Sequence, residues 1–201
     1  MYNWYNFIQV RYTKLNTKTD ARIIKTKIKL TDAFMQLISE KDFDDITVNG
    51  ICEKSSVRRA TFYKHFKDKL DFFKFIVASL REDFDKKWFA QDYRNDSEYF
   101  TEYAVSLVDF FEKNEKIIKS ICNSPSSSSM FHTAVIQNYE DTVARIAKKD
   151  GYTLNSSVSV ETFSMMLVGG VLLTLVNWIK SGKYIPKEVL KQEIKAIIKG
   201  I

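Results

Sequence analysis

Residues 54–69 read KSSVRRATFYKHFKDK, and the way this stretch folds decides what surrounds it. At about 100° per residue, Phe62 and Phe66 fall on one face and point inward with Val57 just before them, while Ala60, Thr61, Tyr63 and Lys64 fall opposite. An outward face of small, hydroxyl and basic residues suits the floor of a DNA groove. Ala60 lets the backbone approach closely, Thr61 offers a hydroxyl and a methyl to a base edge, and Tyr63 reaches toward a phosphate. Arg59 carries the planar fork that matches the O6/N7 acceptor pair of guanine. The alternative is a solvated basic face with no partner.

Working upstream, Thr47 is a good N-cap for the run VNGICEKS, in which Val48, Ile51 and Cys52 are spaced i, i+3, i+4. A short helix is expected there, although Gly50 lowers its propensity by about 1 kcal/mol. Residues 20–40 carry a stronger pattern: Ile24, Ile28, Phe34, Met35, Leu37 and Ile38 share one side, with Lys25, Lys29, Asp32, Gln36, Ser39 and Glu40 on the other. A long helix, a short helix, a break at Ser55-Ser56-Val57 and a second short helix over residues 59–66 form a helix-turn-helix. Asp68 is the expected N-cap of a fourth helix through Phe72, Phe73, Phe75, Ile76, Leu80, Phe84 and Trp88.

Charge is divided the same way. Residues 1–70 hold 14 Lys+Arg against 8 Asp+Glu, whereas residues 71–201 hold 17 of each, so the whole net charge of +6 sits in the first third. That asymmetry is expected when one module meets a polyanion and the other does not. A hydrophobic content of 45% in 201 residues is ample for a core, and with only 6 Gly and 2 Pro the composition favours an all-α fold. Cys52 and Cys122 are far apart and lack neighbouring histidines, so neither a disulfide framework nor a metal site is expected, and a cytoplasmic setting fits. The first 18 residues do not resemble a secretory signal and are read as an arm.

The segment ITVNGICEKSSVRRATFYKHFKDKLDF, residues 46–72, resembles the DNA-binding signature of the TetR/AcrR family of bacterial transcription regulators, in which a pattern like ITV-x-x-I-x-x-x-x-G-V-S-x-x-T-F-Y-x-H-F-x-x-K recurs. The resemblance implies that Thr47, Val48 and Asn49 lie at the start of the second helix near DNA, and that Arg59, Ala60, Thr61 and Tyr63, with Lys64, face the groove. It implies phosphate contacts for His65 and Lys69. Two positions depart from the pattern. Ser56 stands where Gly eases a positive φ, and Arg58 stands where a small N-cap is usual, giving up a capping hydroxyl for a cation near phosphate.

Beyond residue 69 further helices are expected at about 97–113, 115–122, 130–149, 157–180 and 187–199, with NSPSSSS at 123–129 as a loop. This makes about nine helices in all: an arm at 1–18, a three-helix DNA-binding domain at 19–69, and an α-helical effector-binding and dimerisation domain at 70–201. The resemblance implies a pocket for an unidentified small molecule, for which Trp88, Tyr103, Phe110, Phe131 and Met165 are the candidates. The run TFSMMLVGGVLLTLVNWI, residues 162–179, has no charge over 18 residues, the lower limit for a membrane span. It is read instead as a dimer interface built from Met166, Gly169, Gly170, Leu173 and Val176, joined by Leu190, Ile194 and Ile197.

No Walker loop, GxSxG, HExxH or GxGxxG motif occurs, so an enzyme is not expected and no cofactor is implied. The expected protein is a homodimeric, ligand-responsive repressor that binds a double-stranded DNA operator and no membrane. The alternative keeps the fold but acts through a protein partner or a metabolite, with DNA contact weakened or lost.

Overall fold

The computed structural model describes residues 18–89, 96–125, 128–147 and 158–200. Nine α-helices and no strands occur among them. The chain divides between residues 91 and 92 into two compact units.

The N-terminal unit contains α1 (Lys18–Glu40), a 3-10 turn η1 (Phe43–Asp45), α2 (Val48–Ser55), α3 (Arg59–Tyr63) and α4 (Lys69–Phe89). Its core is a cluster of phenylalanines. Phe34 of α1 meets Phe72 at 5.7 Å and Phe73 at 5.3 Å, and Phe43 of η1 stacks on Phe73 at 4.5 Å. Phe62 and Phe66, from α3 and the turn after it, lie 5.6 and 4.7 Å from Phe72. Rings at these separations add roughly 0.5–1.5 kcal/mol per pair beyond their area burial. The first half of α4 therefore closes this core, and the unit runs past residue 69.

Local signals set the boundaries. Asp68 Oδ1 accepts the Asp71 N–H at 2.7 Å, while Asp71 Oδ2 accepts the Lys67 N–H at 2.9 Å, so the start of α4 is held reciprocally. The third helix ends at Tyr63 rather than continuing to Phe66, because the chain turns tightly after Phe62, whose carbonyl accepts from both His65 and Phe66.

The second unit contains α5 (Asp96–Lys113), α6 (Glu115–Asn123), α7 (Ser128–Ala147), α8 (Val160–Lys180) and α9 (Lys187–Gly200). The expected loop at 123–129 is shorter than its composition suggests, since Ser128 and Ser129 already belong to α7. Helix α8 packs against α5, α6 and α7, and α9 lies along α5. Its side chains Ser164, Val168, Leu172, Leu175, Val176, Trp178 and Ile179 are buried, which explains how one apolar helix long enough to cross a bilayer sits inside a helical bundle.

Helix α9 is held on α5 by packing and by charge. Leu190, Ile194 and Ile198 are buried, and beside them run ion pairs of Lys187 with Glu112 at 2.8 Å, Lys191 with Asp109 at 2.8 Å and Lys195 with Glu102 at 3.0 Å, while Lys183, in the turn before α9, pairs with Glu115 of α6 at 2.9 Å. One heptad-like face of α9 is thus committed to its own unit. Val189 and Ile197 remain exposed on the other side.

Candidate nucleic-acid interface

Helix α2 starts as its sequence dictates. Thr47 is the N-cap, extended at φ −109° and ψ 155°, and its Oγ1 accepts the Gly50 N–H at 3.1 Å. Ile51 and Cys52 are buried, Val48 is half-buried, and Asn49 and Glu53 are exposed one turn apart on the outer side.

The turn after α2 rests on Ser56, at φ 55° and ψ 33° in the left-handed region. This is the conformation for which glycine is the usual choice. The turn closes because the Ser56 N–H reaches the Glu53 carbonyl at 3.2 Å and the Val57 N–H reaches the Cys52 carbonyl at 3.0 Å, satisfying the last carbonyls of α2. The serine thus reproduces the turn that its side chain makes more costly.

Arg58 is the N-cap of α3, at φ −66° and ψ 141°, and its side chain makes no capping bond. The Thr61 and Phe62 N–H groups reach the Arg58 carbonyl at 2.8 and 3.1 Å, so α3 is one tight turn plus one residue. Phe62 is completely buried, whereas Arg58, Arg59, Ala60, Tyr63 and Lys64 are exposed and Thr61 is half-buried. Of the residues that periodicity turns inward or outward, Phe62 and Phe66 are buried and Ala60, Tyr63 and Lys64 are exposed, while Val57 and Thr61 are half-buried. The Arg59 guanidinium carbon lies 5.9 Å from the Tyr63 ring centroid, which places cation and ring side by side on the outer face.

Between α2 and α3 lies a groove of about 390 Å³, lined by Asn49, Cys52, Glu53, Ser56, Val57, Arg58 and Arg59. Burial pushes the Cys52 thiol up; the positive charge of Arg59 opposes this and Glu53 adds to it, so the neutral thiol is favoured at the floor of the groove. Glu53 was not singled out from sequence, although its position four residues after Asn49 puts it on the same face.

His65 is half-buried at the end of this face, its ring 6.3 Å from that of Phe66. Burial, followed by the charges of Lys27 and Lys64, holds its imidazole below the ordinary 6.5. Lys69, for which the resemblance implies a phosphate contact, is half-buried with its ammonium turned toward its own unit. Its ammonium donates to the Phe43 carbonyl at 2.7 Å and the Asp44 carbonyl at 3.2 Å, because the start of α4 lies against η1.

In the second unit, an interior cleft of about 30 Å³ is lined by Phe100, Tyr103, Ala104, Leu107, Asn138, Thr142, Leu167, Val168, Val171 and Leu172. Its walls are apolar apart from Thr142 and one pair, in which the Tyr103 hydroxyl donates to Asn138 Oδ1 at 3.1 Å. Of the aromatic and Met residues named from sequence, only Tyr103 lines it. Phe110 is half-buried beside Phe111, Met165 is exposed, and the side chains of Trp88 and Phe131 lie outside the described set.

The residues named for an interface also separate. Met166, Gly170, Leu173 and Ile197 are exposed, and Gly169 is half-buried. Val176, Leu190 and Ile194, by contrast, are 8%, 2% and 5% exposed and pack into the core of their own unit.

Comparison with known proteins matches this geometry. Residues 30–75 match the family model described as bacterial regulatory proteins, tetR family. A 51-residue segment is 43% identical to an uncharacterized HTH-type transcriptional regulator, YxbF, of Bacillus subtilis (strain 168), a match that covers 25% of this chain and 13% of the relative. The fold resembles that of a putative TetR-family transcriptional regulator from Syntrophomonas wolfei, with a TM-score of 0.70 at 20% identity over 87% of this chain and 93% of that one. It also resembles NalD, the secondary repressor of the MexAB-OprM multidrug efflux pump in Pseudomonas aeruginosa, with a TM-score of 0.66 at 17% identity over 90% of this chain and 96% of that one. The first unit thus carries a segment, residues 30–75, that matches the tetR family model, and the all-helical fold is like that of the TetR-family structures.

Proposed function

We propose that this chain is a sequence-specific DNA-binding regulator that acts as a homodimer and releases its operator when a small molecule enters the second unit. The observation that carries the proposal is the division of α3: Phe62 is wholly buried while Arg59, Ala60, Tyr63 and Lys64 stand outward. A helix with that face enters a major groove, where Arg59 reads a guanine, Thr61 contacts a base edge or a thymine methyl, and Tyr63 and Lys64 hold the backbone. Thr47, Val48 and Asn49 at the start of α2, together with Arg58 and His65, border the same face and contact the flanking phosphates.

The turn geometry favours DNA binding over the alternative in which it is lost. Ser56 keeps the left-handed conformation despite its side chain, so the angle between α2 and α3 does not depend on having glycine there.

Pairing follows from the outer face of α8. Met166, Gly170, Leu173 and Asn177 are exposed at helical spacing, with Met166 at 71% and Leu173 at 63%. A side chain added at Gly170 would meet nothing within 4 Å, so no contact within the subunit calls for a glycine that costs the helix about 1 kcal/mol. A second copy packed on this stripe, with Met165 and Ile197 at its margin, supplies the reason. Two-fold pairing sets two α3 helices to read half-sites about 34–36 Å apart.

The cleft gives the effector its chemistry: no charged residue lines it, and the Tyr103–Asn138 pair is its polar end. Its volume of about 30 Å³ leaves room for only about two waters, so a larger effector enters by parting α5, α7 and α8. An effector that binds better to the parted form shifts the population away from the DNA-competent one, which makes repression the default mode.

Selection from a pool of random duplexes tests this proposal. An enriched inverted repeat with half-sites about one helical turn apart, or a multiple of it, is expected; a pool that stays unenriched contradicts it.

A further inference from the structure

Lys69 is tied into the N-terminal unit from three sides. Its ammonium donates to the carbonyls of Phe43 and Asp44 and lies 4.3 Å from the centroid of the Phe43 ring. Phe43 is buried and stacked on Phe73, so the turn that Lys69 grips is anchored in the core. Hydrogen bonds from a charged donor are roughly twice as strong as neutral ones, and both would be broken if the side chain swung out to a phosphate.

The position of these groups in the chain gives the contacts a consequence. Turn η1 leads directly into the N-cap of α2, and Lys69 is the first residue of α4, the helix whose Phe72 supports Phe62 of α3. One side chain therefore joins the segment that orients α2 to the helix on which α3 rests.

We propose that Lys69 is a positioning residue of the DNA-binding module, which fixes η1 and α2 to α4 and makes no phosphate contact of its own. The proposal rests on the DNA-binding function for one half of its test and on the free protein for the other. Burial pushes the Lys69 ammonium below its ordinary value, opposed by the charges of Asp44 and Asp45, as expected for a cation held by the protein rather than by solvent.

The test compares wild type with Lys69→Met in two measurements on the full chain. In the absence of DNA, amide exchange at Asp45, Ile46 and Phe72 is expected to speed up by about tenfold or more in the variant, because the turn and the first turn of α4 open more often. With a selected operator at a temperature where both proteins are folded, specific affinity is expected to fall by about tenfold, while non-specific affinity and the slope of log K against log salt stay at wild-type values. A slope smaller by about one, the mark of a lost phosphate contact, overturns the proposal. So does unchanged exchange, or unchanged specific affinity. If Lys69→Met does not fold, Lys69→Gln is read by the same two measurements. If wild type itself shows no specific binding, the regulator function fails, and the exchange measurement still decides whether Lys69 holds the turn.

Discussion

The rings of Phe62 and Phe72 meet edge to face with centroids 5.6 Å apart, so the inward residue of the five-residue helix α3 rests directly on α4. A helix of that length does not persist alone in water, and its geometry is borrowed from this contact. Phe62→Ala removes a completely buried ring and is expected to destabilise the N-terminal unit by about 3–5 kcal/mol, read by denaturant unfolding. Phe62→Leu should cost markedly less. Equal losses in the two variants would mean that ring volume is not what holds α3.

Ser56→Gly tests the turn. A non-glycine residue in the left-handed region is strained by roughly 1–2 kcal/mol, so glycine is expected to stabilise the unit by about 1 kcal/mol after its own larger entropy loss. The measured midpoint of unfolding should rise and DNA affinity should be retained. A fall in the midpoint would show that the Ser56 side chain contributes something that its backbone conformation does not reveal.

His65 makes opposite predictions for folding and for DNA. Its imidazole is held below 6.5 by burial, Lys27 and Lys64, so between the folded value and 6.5 the unfolded chain binds more protons. The stabilisation is complete above the unfolded value and is lost as pH falls below it. A nearby phosphate raises the same imidazole, so the complex takes up a proton and affinity increases as pH is lowered from 7.5 toward 5.5, by no more than about tenfold per unit. Titration of both properties in His65→Gln should flatten both trends. Affinity that is independent of pH in wild type would remove His65 from the phosphate contacts.

Much of the N-terminal unit was legible in the sequence because its signals are local. Thr47 and Asp68 announce their caps, and the four-residue spacing of Phe62 and Phe66 announces the inner face. The destination of Lys69 was not legible, since its acceptors lie about 25 residues away in a turn that only tertiary packing brings close. In the second unit, helix positions followed from periodicity, but in α8 apolar residues occur nearly all round, so its buried and exposed sides were indistinguishable. Hence Val176 was assigned to an interface when it belongs to the core, and Leu190 and Ile194 likewise. The cleft depends on Asn138, a residue with no distinguishing neighbours in sequence.

Leu173→Asp addresses the pairing surface. Leu173 is 63% exposed within its own subunit, so the substitution should change the stability of the isolated unit by within about 0.5 kcal/mol. In a dimer it buries an unpaired carboxylate, and sedimentation should show a monomer with operator affinity greatly reduced. A variant that stays dimeric would move the interface elsewhere.

A salt titration of binding to a selected operator tests the central claim most directly. Wild type should show a steep linear decline of log K with log salt, with specific sites preferred over random DNA at every concentration. Arg59→Ala should lower discrimination at a guanine by about 1–3 kcal/mol with a smaller effect on random DNA, whereas Lys64→Ala should weaken both and reduce the slope by about one. Equal affinity for operator and random duplexes across the salt range, unchanged by Arg59→Ala, would contradict the assignment of α3 as the element that reads DNA.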